Sequence, residues 1–542
     1  MKRVFALALA FTMLLTVFSA CGKTTASSDK TISVEIGSEP ESVDPAFCRT
    51  VDGDTLVLHN FEGLAKLDKD GKPVLGMAES YTQSEDKKTY TFVLRKDAKW
   101  SDGQPVKAGD FEYAWKRAID PKNAASYGYM FDVIKGGEIY YKDPSKDKYD
   151  INDVAVKALD DKTLKIELSA PCPYFMELLA YPTYAPVRKD IVDGNDSWAT
   201  KPNTYVGNGP YKLVSWKHNS EMVYEKNQNY YDAANLGPDK IRFVLMSDNN
   251  AALAAFKKGD ILFADDMPSN EIDAWKGKPE FHAEGELGTC FIDFNNTKKP
   301  FDDPRVRTAL SLAIDRNYIC DKIGKAGQKP AGAFVPIGMS GKDQSKEFRA
   351  EGGDYYPVDG ASYQANVAKA KELLAAAGYP NGEGFPKFEY LYNTATGNKE
   401  NAEAFQNMWK TSLNIDCTLQ QQEWNVFNDT KQKGNYEVAR SSFNSDYNDP
   451  ISFLDMFTSD NVNNFCKYNN KQYDDLISQI KSSDDRNVRY TKMHEAEALL
   501  MKDMPIAPIY YNVDTYLISS KLKGVYSSPL GFRFFKYATI QY

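Results

Sequence analysis

The chain has 542 residues, with 66 Lys and Arg against 75 Asp and Glu, a formal net charge of −9 and 13% aromatic residues. The acidic balance argues against nucleic acid as a partner, because phosphates call for a basic face. The length exceeds what one hydrophobic core supports and calls for two or more lobes.

In chain order, Lys2 and Arg3 precede an apolar run over residues 4–18, which closes on Phe18-Ser19-Ala20-Cys21. A charged start, an apolar centre and small residues before a cleavage point make residues 1–20 a secretory signal peptide. The run is too short and ends too abruptly for a membrane-spanning helix, and no later run approaches that length. A cysteine directly after Ser19-Ala20 resembles a bacterial lipobox, so cleavage before Cys21 and lipidation of its thiol are expected. Phe18 stands where leucine is usual, and an ordinary signal peptide with an incidental cysteine is the plainer alternative. Residues 21–31 are small and polar and read as a flexible tether. Lys2 and Arg3 are the only charges before Cys21, so the chain from Cys21 onward is about two units more acidic than the whole.

Beyond the tether, strands and helices alternate. Residues 32–36, 89–95 and 162–168 show the period-two pattern of half-buried strands. Residues 108–119 carry Phe111, Ala114, Trp115 and Ala118 at helical spacing. Residues 306–319 and 367–377 behave similarly, the latter stopped by Gly378, and a helix over 495–501 ends before Pro505. The mixture points to an α/β or mixed α+β fold. The 34 tyrosines suit a protein that encloses an organic ligand, although large cores account for most of them.

Catalytic signatures are weak. His59, His218, His282 and His494 form no close metal-binding pair, so neither a metal nor a cofactor is expected. Cys48, Cys172, Cys290, Cys320, Cys417 and Cys466 are scattered, leaving disulfides and isolated buried thiols both open. There is no nucleophile elbow and no phosphate-binding loop. Ser84-x-x-Lys87 and the Ser-Asp-Asn triplets at Ser247 and Ser459 imitate acyl-enzyme motifs, but no Lys-Thr-Gly accompanies them and Ser84 lies in a polar turn.

Several stretches then converge. They are Gly37-Ser38-Glu39-Pro40 leading to Asp44-Pro45, Phe61-Glu62-Gly63-Leu64, Lys99-Trp100-Ser101-Asp102-Gly103, Val206-Gly207-Asn208-Gly209-Pro210-Tyr211 and Phe294-Asn295-Asn296 running into Asp303-Pro304-Arg305-Val306-Arg307. Together they resemble the peptide/nickel group of bacterial extracellular solute-binding proteins, above all the oligopeptide-binding proteins, from about residue 32 to the C-terminus. The resemblance implies a two-lobed clamp of the periplasmic-binding type with an extra inserted domain. Lobe one would comprise residues 32–61, 197–285 and 512–542, with 62–196 inserted, and lobe two residues 286–511. It implies no catalysis, a monomer, peptides as ligands, and an ABC permease as partner, with the membrane reached through the N-terminal lipid.

The segment from Tyr436 to Pro450 resembles the family's peptide-reading stretch. From the residues alone, Asp446 reads first as the cap of the turn before Asn448-Asp449-Pro450. The resemblance implies instead that it pairs with the ligand's α-ammonium, a buried cation that needs a charged acceptor. Arg440 falls on a charge-compensating arginine. Lys431 and Asn398 fall where a relative carries an arginine and a histidine that receive ligand carboxyl termini. Trp424 and Phe443 match pocket aromatics, and Ser442 sits among them. Arg49 departs from the glutamate found near that point in an enteric relative, but main-chain pairing of an extended peptide tolerates the change. The alternatives are the same fold serving a nickel chelate, haem, a sugar or a signalling peptide, and, from another class, a secreted serine acyl-enzyme.

Overall fold

The computed structural model describes residues 30–138, 150–343, 345–395 and 397–541. The expected signal peptide, Cys21 and most of the tether lie outside the described residues.

Lobe one opens with β1 (Thr31–Glu35), whose Ile32 and Val34 are buried between polar neighbours, and α1 (Val51–Asn60), capped by Thr50. The chain then builds a small antiparallel sheet from β2 (Ala78–Gln83), β3 (Thr89–Leu94), β4 (Val156–Ala158) and β5 (Thr163–Glu167), in the order β2-β3-β5-β4. Helix α2 (Ala108–Ile119) lies across β4 and β5 with Phe111, Ala114, Trp115 and Ala118 buried. This sheet is separate from the main one, and Trp100 and Trp115 are fully enclosed in this part of the chain.

The main sheet resumes with β6 (Tyr211–Lys217), β7 (Glu221–Lys226), β8 (Lys240–Val244), then α3 (Asn249–Lys258), β9 (Phe263–Asp265) and the long β10 (Phe281–Phe294). Lobe two adds α4 (Pro304–Leu312), α5 (Tyr363–Ala376), β11 (Phe388–Asn393), α6 (Asn398–Leu413), β12 (Cys417–Gln422), α7 (Trp424–Gln432), β13 (Val438–Asn444), α8 (Lys471–Lys481) and α9 (Arg486–Asp503). The long β14 (Ile506–Ile518) returns the chain to lobe one. These strands form one eleven-stranded sheet in the order β12-β11-β13-β10-β14-β9-β1-β8-β7-β6, with Lys329–Pro330 paired onto β14.

The two long strands β10 and β14 pair along most of their length and link the two ends of the main sheet. Phe281 to Gly285 pair with Leu517 to Val513 on the lobe-one side, and Thr289 to Asp293 pair with Tyr511 to Ile506 on the lobe-two side. Between them residues 286–288 lie opposite Asn512 alone, a bulge at the crossing. Gly288 sits in this bulge, where a Cβ would come within 1.9 Å of Asn444 Oδ1 and 2.6 Å of Asn512 Nδ2. Any side chain there would push the Asn444 and Asn512 amides out of place.

Helix α2 has the bounds expected from sequence. The helix expected over 306–319 ends instead at Leu312, because the Asp315 carboxylate accepts the Tyr318 N–H (3.0 Å) and starts a new helical turn. The helix expected over 495–501 is the last part of α9, which begins nine residues earlier behind the Asp485 cap. Its first half hides polar side chains such as Arg489, which mask the apolar period. The six described cysteines are buried free thiols. Ser84 donates to Asp86 while Lys87 reaches Asp484, so the Ser84/Lys87 motif brings no nucleophile to a base. Among the described residues no helix is long and apolar enough to cross a membrane.

Candidate ligand-binding site

Strand β13 and the loop after it carry most of the expected site. Alternation along the strand puts Arg440, Ser442 and Asn444 on one face. Asn512 Nδ2 donates to Ser442 Oγ (3.0 Å) and Asn444 Oδ1 (2.7 Å), and Asn444 Nδ2 donates to Glu286 Oε2 (3.1 Å). This polar row therefore runs along the bulge at the lobe crossing. Phe443 points the other way and packs edge-on against Phe453, 5.0 Å between centroids, so it serves the core.

The loop beyond β13 is held rigidly. Ser445 Oγ donates to the Tyr447 carbonyl, Asp446 N–H to Ser452 Oγ (3.3 Å), and Ile451 N–H to Asp449 Oδ1 (3.1 Å). Buried Arg489 grips both oxygens of Asp449 at 3.0 and 2.9 Å. The turn-capping role that sequence offered to Asp446 thus falls to Asp449.

Asp446 is 5% exposed and forms no ion pair among the described residues. Its Oδ2 accepts the Tyr129 hydroxyl at 2.5 Å. Burial pushes its carboxyl up to about 7, and the hydroxyls of Tyr129, Tyr127 and Tyr181 pull the other way. A buried carboxylate without a cation is unfavourable unless a ligand supplies the charge. Tyr127 and Tyr129 lie between α2 and β4, and Tyr181 follows β5, so the contact joins the part of the chain around the small sheet to the loop after β13. Tyr174 also stacks on Tyr447 (4.7 Å, 8° between planes), and Asn448 N–H donates to Glu177 Oε2 (2.7 Å). The lobes are closed.

Arg440 is half-buried and without an ion pair among the described residues. Its Nη1 reaches Asn393 Oδ1 at 3.5 Å and its Nε has no partner. Asn398, at the start of α6, donates to the same Asn393 Oδ1 (3.0 Å) and to the Asn393 carbonyl (3.1 Å). Arg440 and Asn398 thus share one amide. Lys431 is placed differently: its ammonium lies 2.7 Å from Asp293 and 2.9 Å from Ser441 Oγ, with both ions almost fully buried. Its charge is already balanced within the protein. Trp424 begins α7, 41% exposed and stacked on Phe427 at 6.0 Å, and Arg49 pairs with Glu41 at the surface. Among the described residues no hydrogen bond, ion pair or ring contact joins either to the Asp446–Arg440 row.

Sequence reasoning missed Tyr127, Tyr129, Tyr181, Asn393 and Asn512. The tyrosine excess was the available signal, but it pointed to ring faces, whereas here the hydroxyls act.

The sequence model for "Bacterial extracellular solute-binding proteins, family 5 Middle" matches residues 72–465. The chain belongs to this family. It is a solute-binding protein with the family's two-lobed fold, and not an enzyme. Oligopeptide-binding protein OppA of Bacillus subtilis is 35% identical over 555 residues, spanning 99% of this chain and 98% of that protein. The murein tripeptide binding protein MppA of Escherichia coli superposes with a TM-score of 0.85 at 33% identity, covering 94% of this chain and 99% of that one. Haemophilus influenzae OppA in complex with the peptide RPPGFSPFR also gives 0.85, at 31% identity, over 95% and 99%. The unliganded open form of MppA gives only 0.70 at the same 33% identity, over 95% and 98%. This family member thus has its lobes arranged as in the peptide complex rather than as in the open form, in agreement with the tyrosine contacts across the cleft.

Proposed function

We propose that the chain is a peptide receptor of an ABC importer, exported and anchored to the membrane through lipid on Cys21. The observation that carries the reading is a pair of unbalanced, opposite charges in a closed cleft. Among the described residues Asp446 meets no cation and Arg440 no anion, on a strand and the loop that continues it. They are six residues apart, so an extended ligand between them spans at most about 20 Å. A zwitterionic peptide supplies both missing charges: its α-ammonium to Asp446 and its carboxylate toward Arg440, near Asn393 and Asn398. Ser442, Asn444 and Asn512 offer polar groups between these ends, and water adapts such a surface to varied side chains. The peptide-binding relatives support the ligand class. Residues 286–511 would swing as one body against residues 32–61, 197–285 and 512–542 with their insert, 62–196, about the bulge at Gly288 and Asn512. Ligand bonds to both lobes then favour the closed form that a permease reads.

Asp446→Ala removes the ammonium's acceptor. It is expected to weaken binding of free-amine peptides by at least ~2 kcal/mol in calorimetry. Wild-type affinity in that variant would rule out the site.

A further inference from the structure

Close to Asp446 lies a second buried carboxylate that meets neutral groups but no cation among the described residues. Asp54, in the first turn of α1 in lobe one, is 2% exposed. Its Oδ2 accepts the Tyr181 hydroxyl at 3.3 Å, and its Oδ1 has no hydrogen-bond partner. The Cys48 thiol lies beside it, 3.9 Å from the Thr50 carbonyl, and with Tyr181 helps to hold the Asp54 carboxylate. No lysine, arginine or histidine among the described residues pairs with Asp54. Arg533, which faces the neighbouring Asp52, is held by Asp265 (2.7 Å) and Asp514 (2.5 Å).

We propose that Asp54 is a second carboxylate for the ligand's ammonium, supplied by lobe one against Asp446 of lobe two, so that closure completes the amine subsite. The inference rests on the assignment of Asp446 to that ammonium.

The geometry is specific. The Tyr181 hydroxyl that bonds Asp54 also stabilises the Asp446 carboxylate. One hydroxyl carries one proton, so Tyr181 can donate to only one of the two carboxylates at a time, and its place beside both keeps Asp54 and Asp446 in one polar cluster. An ammonium has three donors, which match one oxygen from each carboxylate and a tyrosyl hydroxyl. The groups facing Asp54 are Tyr181, Cys48, Asp52 and Asp446, and those facing Asp446 are Tyr127, Tyr129, Tyr181 and Asp54. All are acidic or neutral. Burial pushes the Asp54 carboxyl up to about 7, as it does Asp446. Without a ligand the closed site therefore favours proton uptake by the carboxyls, whereas an ammonium between them lets both stay ionised. A neutral N-terminus, such as an acetamide, gains nothing from either carboxylate.

The test is a thermodynamic cycle between protein and ligand. Calorimetry compares tri-, tetra- and penta-alanine with their N-acetyl forms on wild type, Asp54→Asn and Asp446→Asn, using the length that wild type binds best. The expected result is that Asp54→Asn lowers free-amine affinity at least tenfold and changes N-acetyl affinity less than twofold. Equal weakening of both forms would make Asp54 a structural residue and overturn the proposal. Unchanged free-amine affinity in Asp54→Asn, with loss in Asp446→Asn, overturns the role of Asp54 and leaves that of Asp446. If neither variant distinguishes the two ligands, both assignments fall. Thermal melting checks that the variant folds, and Asp54→Ser carries the same cycle if Asp54→Asn does not.

Discussion

Whether a charged side chain awaits a ligand depends on whether the protein has already answered its charge. Asp446 and Asp449 stand in one short loop, yet Arg489 neutralises Asp449 and no cation among the described residues meets Asp446. Arg440 and Lys431 form the matching contrast, since Asp293 neutralises Lys431 while Arg440 has one long bond to an amide. If Arg440 receives the ligand's carboxylate, Arg440→Ala weakens binding of free-acid peptides about tenfold or more, because hydrogen bonds to charged groups contribute roughly 1.5–3 kcal/mol. The same peptides with a C-terminal amide should bind wild type and variant alike, and a calorimetric loss of equal size for both would count against the assignment. The segment from Tyr436 to Pro450 announced Asp446 and Arg440, but sequence could not separate Arg440 from Lys431. The anion that decides between them, Asp293, sits on β10, a strand away.

Among the elements, the paired long strands matter most. β10 and β14 transmit the chain between lobes, and their bulge keeps Gly288 against Asn444 and Asn512. Gly288→Ala would drive a methyl into these amides and is expected to cost about 1–3 kcal/mol, the usual range for overpacking. Thermal denaturation should show a lowered melting temperature, with weaker peptide binding alongside. Gly285, three residues earlier, has open space where a Cβ would stand, so Gly285→Ala serves as the control and should melt close to wild type. Equal stability of the two variants would show that close approach at Gly288 is not what the bulge requires. Periodicity located β1, β3, β5 and α2 because each buries one face of a regular pattern. It did not show the break after Leu312 or the first half of α9, where an aspartate cap and buried polar side chains override the apolar period.

At the scale of the molecule, buried ionisable groups set the response to pH. His59 is enclosed, with Nδ1 on the Thr55 carbonyl (2.7 Å) and Nε2 accepting the Phe535 N–H (3.1 Å), and burial lowers its pKa to about 4 from 6.5. As pH falls through that interval the unfolded chain takes a proton that the folded one refuses. Stability therefore declines, by about 3 kcal/mol once both values are passed. Glu286 at the bulge behaves oppositely: burial, with Asp514 close by, pushes it from 4.5 to about 8, so the folded chain holds a proton that the unfolded one has lost. Stability from this group declines as pH rises through that range. Calorimetric melting between pH 4 and 9 should show a maximum between the two limbs, and Glu286→Gln should flatten the alkaline limb. An unchanged alkaline slope would place its origin elsewhere. By itself the sequence determined the mixed fold, the family and the loop that carries Asp446, because alternation, helical spacing and ordered motifs are local or collinear properties. Only the tertiary structure decided which charges among the described residues stand without an ion-pair partner, which tyrosines surround Asp446, and that Asp54 stands near it. Those facts depend on neighbours brought together by lobe closure, and desolvation acts on the assembled site rather than on any stretch of chain.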